Sequence, residues 1–197
     1  KIWLYAGISG VSDTRHLIVI INFIIISLMP KNVFSADNQQ ERLRIIGWIV
    51  GFVDGEGAFT VSIFKNSTAK LGLQVFPEFI VTQGAKSKDV LDLFQDFFSC
   101  GKVYLNKRYD NHRENLYRYC VRSIRDLNTI IIPFFKENEL RTAKKRDFEY
   151  FCEVLNLMDK REHLVLSGIE RISKITMQMN RRAKPKFLES PQTKRRT

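Results

Sequence analysis

The sequence predicts an α+β fold in which pairs of antiparallel strands alternate with helices. Residues 58–65 and 73–83 alternate apolar and polar side chains as half-buried strands do, and residues 102–109 and 115–123 repeat this pattern. The segments between and after them have apolar residues at helical spacing. The chain has 197 residues, of which 44% are hydrophobic and 15 are phenylalanine, so it can build one packed core. This composition excludes the collagen-like, disordered and disulfide-scaffold classes.

The first helix, predicted over residues 43–54, is apolar on almost every side. Gly47, Gly51 and Gly55 recur within and just after it at intervals of four, which places them on one helix face. Each glycine costs about 1 kcal/mol of helix propensity relative to alanine. A glycine ridge is therefore typical of a helix face that another backbone approaches closely.

The remaining elements follow from periodicity and from turn and cap residues. Pro77 lies within the second strand, so we expect that strand at a sheet edge or interrupted by a bulge. The expected order is a helix at 43–54, strands at 58–65 and 73–83, a helix capped by Ser87 that ends near Gly101, strands at 102–109 and 115–123, a short apolar helix that ends near Pro133, and helices at 139–157 and 163–180.

The charge balance indicates a polyanionic partner. The chain has 32 basic and 21 acidic residues, a net charge of +11, which suits nucleic acid or an anionic membrane surface. Residues 17–29 are apolar apart from two positions, but this run is shorter than the roughly 20 residues that span a bilayer. We therefore expect an N-terminal extension or leader at 1–40, a folded domain at 41–182, a basic tail at 183–197, and no membrane partner.

The cysteines and histidines do not predict a metal centre or a disulfide framework. The three cysteines are odd in number, lie far apart and form no Cys-x-x-Cys pair, and the three histidines are scattered.

The polar faces of the strands suit a nucleic acid. Arg and Lys contact phosphates or guanine, while Asn and Gln suit adenine. An ordinary solvated sheet face would show the same alternation, so this pattern leaves both interpretations open. The candidate contact residues are Thr60, Ser62, Gln74, Lys102, Asn106, Arg108, Arg118 and Arg122.

The acidic residues Asp54 and Glu56 lie where the first helix ends. A helix C-terminus carries unpaired carbonyls and partial negative charge, and the Glu56 carboxylate would complete an oxygen-rich pocket that suits Mg²⁺. One carboxylate is a small ligand set, but two copies joined through the glycine ridge would be adequate. The alternative is that both acids are helix-end or turn residues without a metal.

A basic run, Lys144-Lys145-Arg146, is the second candidate group. A lysine near a metal-bound water can stabilise charge or relay protons during attack on a phosphodiester. The alternative is a solvated helix face, which is the usual role of such a run.

Residues 49–57, Ile-Val-Gly-Phe-Val-Asp-Gly-Glu-Gly, resemble the signature of the LAGLIDADG homing endonucleases, DNA-cutting enzymes usually encoded in introns. Residues 59–63 and 77–83 are similar to the first two strands of that family, residues 140–148 to its lysine-bearing segment, and residues 162–181 to its closing helix. The likeness covers residues 38–182. It implies the LAGLIDADG homing endonuclease fold, an αββαββα core with a saddle-shaped antiparallel sheet over the DNA major groove and C-terminal helices.

The resemblance also implies roles at the signature helix. Glu56 would be the divalent-metal ligand, assisted by the carbonyl of Gly55, while Asp54 would be structural. Gly47 and Gly51 would lie in a dimer interface. Mg²⁺ would be the cofactor, with two or three ions per dimer, and Ca²⁺ would bind without supporting cleavage.

Away from the signature, Gln83 would position water, and Lys144 would be the basic residue near the scissile phosphate, with Lys145 as the competing assignment. Ala58 departs from the Cys or Ser associated with the family at this position, which should affect packing more than catalysis. One signature copy implies a homodimer on a pseudo-palindromic site in double-stranded DNA. The alternative function is an RNA maturase that binds intron RNA and assists group I intron splicing. The expected location is an organelle, mitochondrion or chloroplast, or the bacterial cytoplasm.

Overall fold

The computed structural model describes residues 36–106 and 115–179. The expected contact residue Arg108, the apolar run 17–29 and the basic tail 183–197 lie outside these ranges. The described elements, in chain order, are α1 (Ala36–Glu56), β1 (Gly57–Lys65), β2 (Leu73–Gly84), a 3₁₀ turn (Ala85–Ser87), α2 (Lys88–Phe98), β3 (Lys102–Asn106), β4 (Leu116–Val121), α3 (Ile124–Asp126), a π-helical turn (Leu127–Ile131), α4 (Ile132–Glu137), α5 (Lys144–Asp159), a second 3₁₀ turn (Glu162–Leu164) and α6 (Leu166–Thr176).

The chain divides into two units, Lys1–Arg44 and Ile45–Thr197. Of the first unit, the structure describes the beginning of α1 only. The second unit carries the sheet, the later helices and the C-terminal half of α1.

The four strands form one antiparallel sheet in the order β1-β2-β4-β3. In register, Phe59 pairs with Phe79, which pairs in turn with Val121 on the other side. This arrangement confirms the predicted α+β class and the two strand pairs.

One face of the sheet is buried beneath the helices, and Phe79 lies at its centre. The Phe79 side chain is fully buried. The rings of Phe59, Phe135, Tyr119 and Phe98 lie 5.1, 5.5, 6.2 and 6.3 Å from its ring. Because a buried aromatic cluster joins strands and helices from distant parts of the chain, it fixes the position of the sheet relative to the helices. We call the opposite face of the sheet the open face.

Pro77 lies in an inner strand, but at a point where that strand has one neighbour. The β1–β2 pairing includes Pro77 opposite Val61, whereas the pairing of β2 with β4 begins at Phe79. The missing N–H of proline therefore leaves no gap in the β2–β4 ladder. Pro77 therefore lies on a locally unpaired edge of β2, as expected, whereas β2 as a whole is an inner strand of the sheet.

Several predicted helix boundaries are wrong. The first helix begins at Ala36 rather than at residue 43, and the last helix spans Leu166–Thr176 rather than residues 163–180. The apolar helix does not end near Pro133, because Pro133 occupies the first turn of α4 and the helix continues to Glu137. The preceding π-helical turn widens the backbone, and a first-turn proline has no hydrogen bond to lose. The helix expected from residue 139 begins instead at Lys144.

The α2 boundaries follow from backbone geometry. Ser87 is the N-cap residue, as expected, although its side chain makes no capping hydrogen bond. The helix ends at Phe98, where Ser99 takes a left-handed conformation with φ of 50°. Gly101 follows with φ of 74°, and a Cβ there would lie 2.7 Å from the Tyr119 ring, so only glycine fits.

Within residues 36–106 and 115–179, no helix combines the length and the apolar composition that crossing a bilayer requires.

Candidate active site and nucleic-acid interface

Asp54, near the C-terminal end of α1, holds the segment that precedes α5. Its Oδ2 accepts a hydrogen bond from the Arg141 backbone N–H at 2.9 Å. Its Oδ1 accepts from the Thr142 backbone N–H at 3.2 Å and from the Thr142 hydroxyl at 2.8 Å. These bonds explain why α5 begins later than the sequence pattern suggests: residues 141–142 direct their N–H groups to Asp54.

The same contacts change the acidity of Asp54. Burial alone would raise the pKa of this carboxyl group, but the hydrogen bonds from Arg141 and Thr142 outweigh burial, with a further contribution from the charge of Lys144. The pKa of Asp54 is therefore lowered from its ordinary value, and the carboxylate is ionised at neutral pH.

Lys144, the first residue of α5, turns back to the end of α1. Its Nζ donates hydrogen bonds to the carbonyl oxygens of Asp54 at 2.9 Å and Gly55 at 2.7 Å. The last carbonyls of a helix lack partners within the helix and carry partial negative charge, so an ammonium group stabilises them. The structure thus joins residues 54–55 to a lysine that lies 90 and 89 positions away in sequence.

The other two basic side chains of the run have separate partners. Lys145 Nζ pairs with Glu139 Oε2 at 3.0 Å. Arg146 donates from Nε and Nη2 to the Tyr150 hydroxyl at 3.2 and 3.0 Å. The three consecutive residues therefore do not form one uniform basic face, and of the two lysines Lys144 is the one that contacts the end of α1.

Glu56 adjoins this junction, and Gln83 lies on the strand β2 that pairs with β1. Glu56 ends α1 with an exposed side chain, and Gly57 begins β1 opposite Val81. The turn is tight, because a Cβ on Gly57 would lie 2.6 Å from Val53 Cγ1. Gln83 is half-buried and lies two residues beyond Val81 on β2, on the face of the sheet that packs against the helices. The two side chains are not joined by a hydrogen bond within the described part of the chain.

The donor atoms at this end of α1 fit a hard divalent cation. The carbonyl oxygen of Gly55 already accepts from an ammonium group, so its lone pairs face a position where positive charge is stabilised. The exposed Glu56 carboxylate provides a second oxygen donor type, and oxygen donors are what Mg²⁺ and Ca²⁺ prefer. Within the described residues, no cluster of three or more His, Cys, Asp or Glu side chains is present.

The glycine ridge of α1 is open. Gly47, Gly51 and Gly55 are exposed, and a Cβ on any of them would meet no atom within 4 Å. Within the described structure, packing of this chain alone therefore does not require glycine at these positions.

The candidate contact residues in the described ranges share the open face of the sheet. Arg118 is flanked by Thr82 and Tyr104, while Cys120 is flanked by Ile80 and Lys102, and all of these alternate with core residues. The same alternation brings the other candidates to this face, namely Thr60, Ser62, Gln74, Asn106 and Arg122.

These side chains differ in how their polar groups are engaged. Gln74 Oε1 accepts from Asn66 Nδ2 at 2.6 Å, and the Thr60 hydroxyl donates to the Glu78 backbone carbonyl at 3.4 Å. Arg118 Nε is buried and has no hydrogen-bond acceptor among the described residues. On the open face, Gln74 and Thr60 therefore already make hydrogen bonds within the chain, whereas the Arg118 Nε–H has no acceptor among the described residues.

Among the candidates, Arg122 contacts the largest number of charged and aromatic side chains. The residues that it contacts were not predicted from the sequence. Its Nε donates to the carboxylate of Glu78, and its guanidinium carbon lies 4.9 Å from the Tyr104 ring centroid and 5.8 Å from that of Phe76. Extending the strand alternation through Phe76 and Glu78 would have placed both on the polar face.

Comparison with known proteins identifies one family. A sequence model described as LAGLIDADG endonuclease matches residues 49–155. Over 125 residues the chain is 34% identical to a probable intron-encoded endonuclease 2 of Neurospora crassa, a match that covers 64% of this chain and 27% of that protein. The first curated relatives are longer proteins, of which this chain spans about a quarter to a third.

Solved structures give the same result for the fold. The crystal structure of the homing endonuclease I-TnaI matches with a TM-score of 0.62 and 38% identity, covering 68% of this chain and 87% of that chain. I-SmaMI, bound to an uncleaved DNA target in the presence of calcium ions, matches with a TM-score of 0.61 and 36% identity, covering 68% of this chain and 44% of that chain. The arrangement of helices and strands is therefore shared with proteins that bind DNA.

Proposed function

This chain belongs to the LAGLIDADG endonuclease family, and on that premise we propose that it is a site-specific endonuclease that hydrolyses one phosphodiester bond in each strand of a double-stranded DNA target. The observation that carries the proposal is the junction at the end of α1, where the Lys144 ammonium group meets the carbonyls of Asp54 and Gly55 beside the exposed carboxylate of Glu56. Cation-stabilising oxygens and a cationic donor are the groups that phosphodiester hydrolysis requires.

Glu56 and the carbonyl of Gly55 are the proposed metal ligands, with two or three Mg²⁺ ions per dimer. Bound Mg²⁺ would supply Lewis-acid activation of the phosphate and of the attacking water. Ca²⁺ is expected to occupy the same oxygens without supporting cleavage, and the DNA complex of I-SmaMI with calcium ions and an uncleaved target is consistent with this expectation.

Two further side chains have proposed roles in the reaction. Lys144 provides positive charge for the scissile phosphate, because its ammonium group is anchored at the end of α1 and can donate from its third proton. Gln83 orients water through its side-chain amide, a role its half-buried position two residues beyond Val81 allows. Asp54 is a positioning residue that acts through the segment carrying Lys144.

We propose that the chain acts as a homodimer through the glycine ridge of α1. The open space at Gly47, Gly51 and Gly55 supports this arrangement, because it permits close approach of a second helix. Pairing two copies would bring two Glu56 carboxylates together and so complete the partial ligand set. A two-fold assembly implies a pseudo-palindromic DNA target.

The open face of the sheet is the proposed DNA surface, and an organelle is the proposed location. Arg, Lys, Asn and Gln on that face suit phosphates and base edges. Relatives named as intron-encoded in Neurospora crassa and Mycosarcoma maydis support this proposed location.

A cleavage assay tests the proposed function. The purified chain is incubated with intronless host genes or a DNA library, in Mg²⁺ and separately in Ca²⁺. We expect site-specific double-strand cuts in Mg²⁺ alone. Glu56→Gln should abolish cutting while DNA binding persists. Glu153→Gln, an exposed acid on α5, is the matched control and should cut normally.

Two outcomes would contradict the proposal. Wild-type cutting by Glu56→Gln would exclude Glu56 as the metal ligand. Binding of DNA without cutting in either metal would exclude the nuclease and favour the RNA maturase, which a splicing assay with intron RNA would then test.

A further inference from the structure

Glu78 is an acidic residue on the face of the sheet proposed to meet DNA. Its side chain is 15% exposed, and it lies opposite Thr60 on β1. A carboxylate that faces a polyanion is unfavourable unless a cation neutralises it. The structure supplies that cation in Arg122.

Arg122 lies directly across from Glu78. Val121 pairs with Phe79, so the next residue in the antiparallel register faces Glu78. The Arg122 Nε donates to Glu78 Oε1, and the two aromatic rings of Tyr104 and Phe76 lie against the guanidinium group. Four side chains therefore form a fixed group on the open face, called the Arg122 cluster.

This geometry leaves a specific part of Arg122 available. Glu78 engages Nε, and the Arg122 side chain remains 44% exposed, so part of the guanidinium is accessible to a ligand. A guanidinium has a planar fork of donors, and its two terminal nitrogens form the pair used in bidentate recognition. The neighbouring rings restrict the plane of that fork before any ligand binds.

We propose that Arg122 reads a guanine in the major groove of the target, with Glu78 as the residue that positions it; this inference rests on the proposed DNA endonuclease function. An arginine contacts guanine O6 and N7 with two parallel hydrogen bonds, the commonest specific contact in DNA recognition. Holding the side chain in advance lowers the conformational entropy lost on binding. Since Glu78 balances its charge, Arg122 contributes to base choice rather than to general attraction for phosphate.

Lys102 provides the contrast within the same face. It lies in register with Cys120, it is exposed, and no carboxylate of the described residues pairs with it. A free lysine on a DNA-facing surface neutralises phosphate and releases counterions, which makes its contribution depend on salt. Arg122 and Lys102 should therefore be separable by experiment.

The test is selection of cleavable sites from a randomised DNA library, with the salt dependence of binding measured in Ca²⁺. Relative to wild type, Arg122→Gln should lose about 5- to 150-fold of discrimination for guanine at one position of each half-site, with an unchanged salt slope. Lys102→Gln should keep every base preference while its salt slope falls by about one.

Glu78→Gln separates positioning from folding. The amide oxygen can still accept from Nε, but the charge that balances Arg122 is gone. We expect weaker guanine discrimination together with a steeper salt slope, because Arg122 becomes free to contact phosphate. Thermal unfolding of all variants is the folding control. If Arg122→Gln does not fold, Arg122→Lys retains the charge and should show the same loss of discrimination, since lysine cannot make the bidentate contact.

The inference is overturned if wild type cuts DNA but Arg122→Gln retains all base preferences, or if its salt slope falls as that of Lys102→Gln does. A wild-type target without any guanine preference overturns it as well. A wild-type chain that neither cuts nor selects DNA instead refutes the proposed function, and this inference with it.

Discussion

Asp54 links the first helix to the segment that carries Lys144. Its carboxylate accepts three hydrogen bonds from Arg141 and Thr142, whereas Glu56, two residues later, is exposed and makes no hydrogen bond with the described residues. Two acids of the same short motif thus have different environments. The first is suited to hold the backbone in place, and the second is suited to bind a ligand.

Replacing Asp54 with Asn should destabilise the fold by about 1–2 kcal/mol at pH 7, because hydrogen bonds to a carboxylate are stronger than those to an amide. The pKa of Asp54 is lower in the folded chain than its ordinary value of 3.8. The contribution of the ionised Asp54 carboxylate to the free energy of unfolding is therefore complete above pH 3.8. It is lost as the pH falls through the lower pKa of the folded chain. Urea unfolding of both proteins at pH 7 and pH 3 should show the difference shrinking at the lower pH. An equal difference at both pH values, or an equal effect of Asp96→Asn at an exposed site on α2, would contradict this assignment.

Lys144 and Lys145 can be separated by matched substitutions to Met. Lys144→Met should lower the single-turnover cleavage rate by about 10²- to 10³-fold, the usual effect of removing one charge-stabilising donor. Lys145→Met removes an exposed pair with Glu139 and should remain within about threefold of wild type. DNA binding in Ca²⁺ should persist in both. The reverse order of the two cleavage rates would assign the catalytic lysine to Lys145.

At the level of elements, α1 has a buried side and an open side. Ile49 and Val53 pack in the core, while Gly47 and Gly51 face outward with free space around them. The same helix therefore contributes to the core on one side and has an exposed glycine ridge on the other.

Gly51→Leu should disrupt the proposed homodimer without unfolding the chain. Among the described residues, no atom outside the helix's own backbone lies within 4 Å of the added Cβ, and leucine has about 1 kcal/mol better helix propensity than glycine. Sedimentation equilibrium should therefore show a folded monomer. Gln95→Leu adds an exposed leucine to α2 as the control and should leave association unchanged. A monomeric wild-type protein, or a fully dimeric Gly51→Leu variant, would refute an interface at this ridge.

For the molecule as a whole, stability depends on the aromatic core between the sheet and the helices. Phe79 is fully buried among rings contributed by β1, α2, β4 and α4. Phe64 lies on the open face and is 41% exposed. These two phenylalanines therefore differ in burial although both lie at paired positions of strands.

Phe79→Ala should destabilise the chain by about 3–5 kcal/mol, because it leaves a cavity that several elements surround. Phe64→Ala should cost less than about 1 kcal/mol, as is usual for a surface site. Urea unfolding monitored by circular dichroism measures both values. Similar losses in the two variants would show that the buried face does not dominate stability.

The α+β class, the strand pairs, the shared polar face and the family could all be predicted from the sequence. Each depends on local information: a period of two or 3.6 residues for the elements and, for the family, the signature at 49–57 combined with four later segments. The predictions failed at several helix boundaries, among them the end of the helix near Pro133 and the start of α5. There a π-helical turn and the carboxylate of Asp54 override the local pattern.

Only the tertiary structure decided which partners the charged side chains have. Lys144, Lys145 and Arg146 are consecutive, yet one reaches a helix end 90 positions away while the next two stay local. Arg122 and Glu78 are 44 positions apart and meet through strand register. Periodicity specifies the face on which a side chain lies. The atom that it meets there depends on how distant segments pack, and this information is absent from any short stretch of sequence.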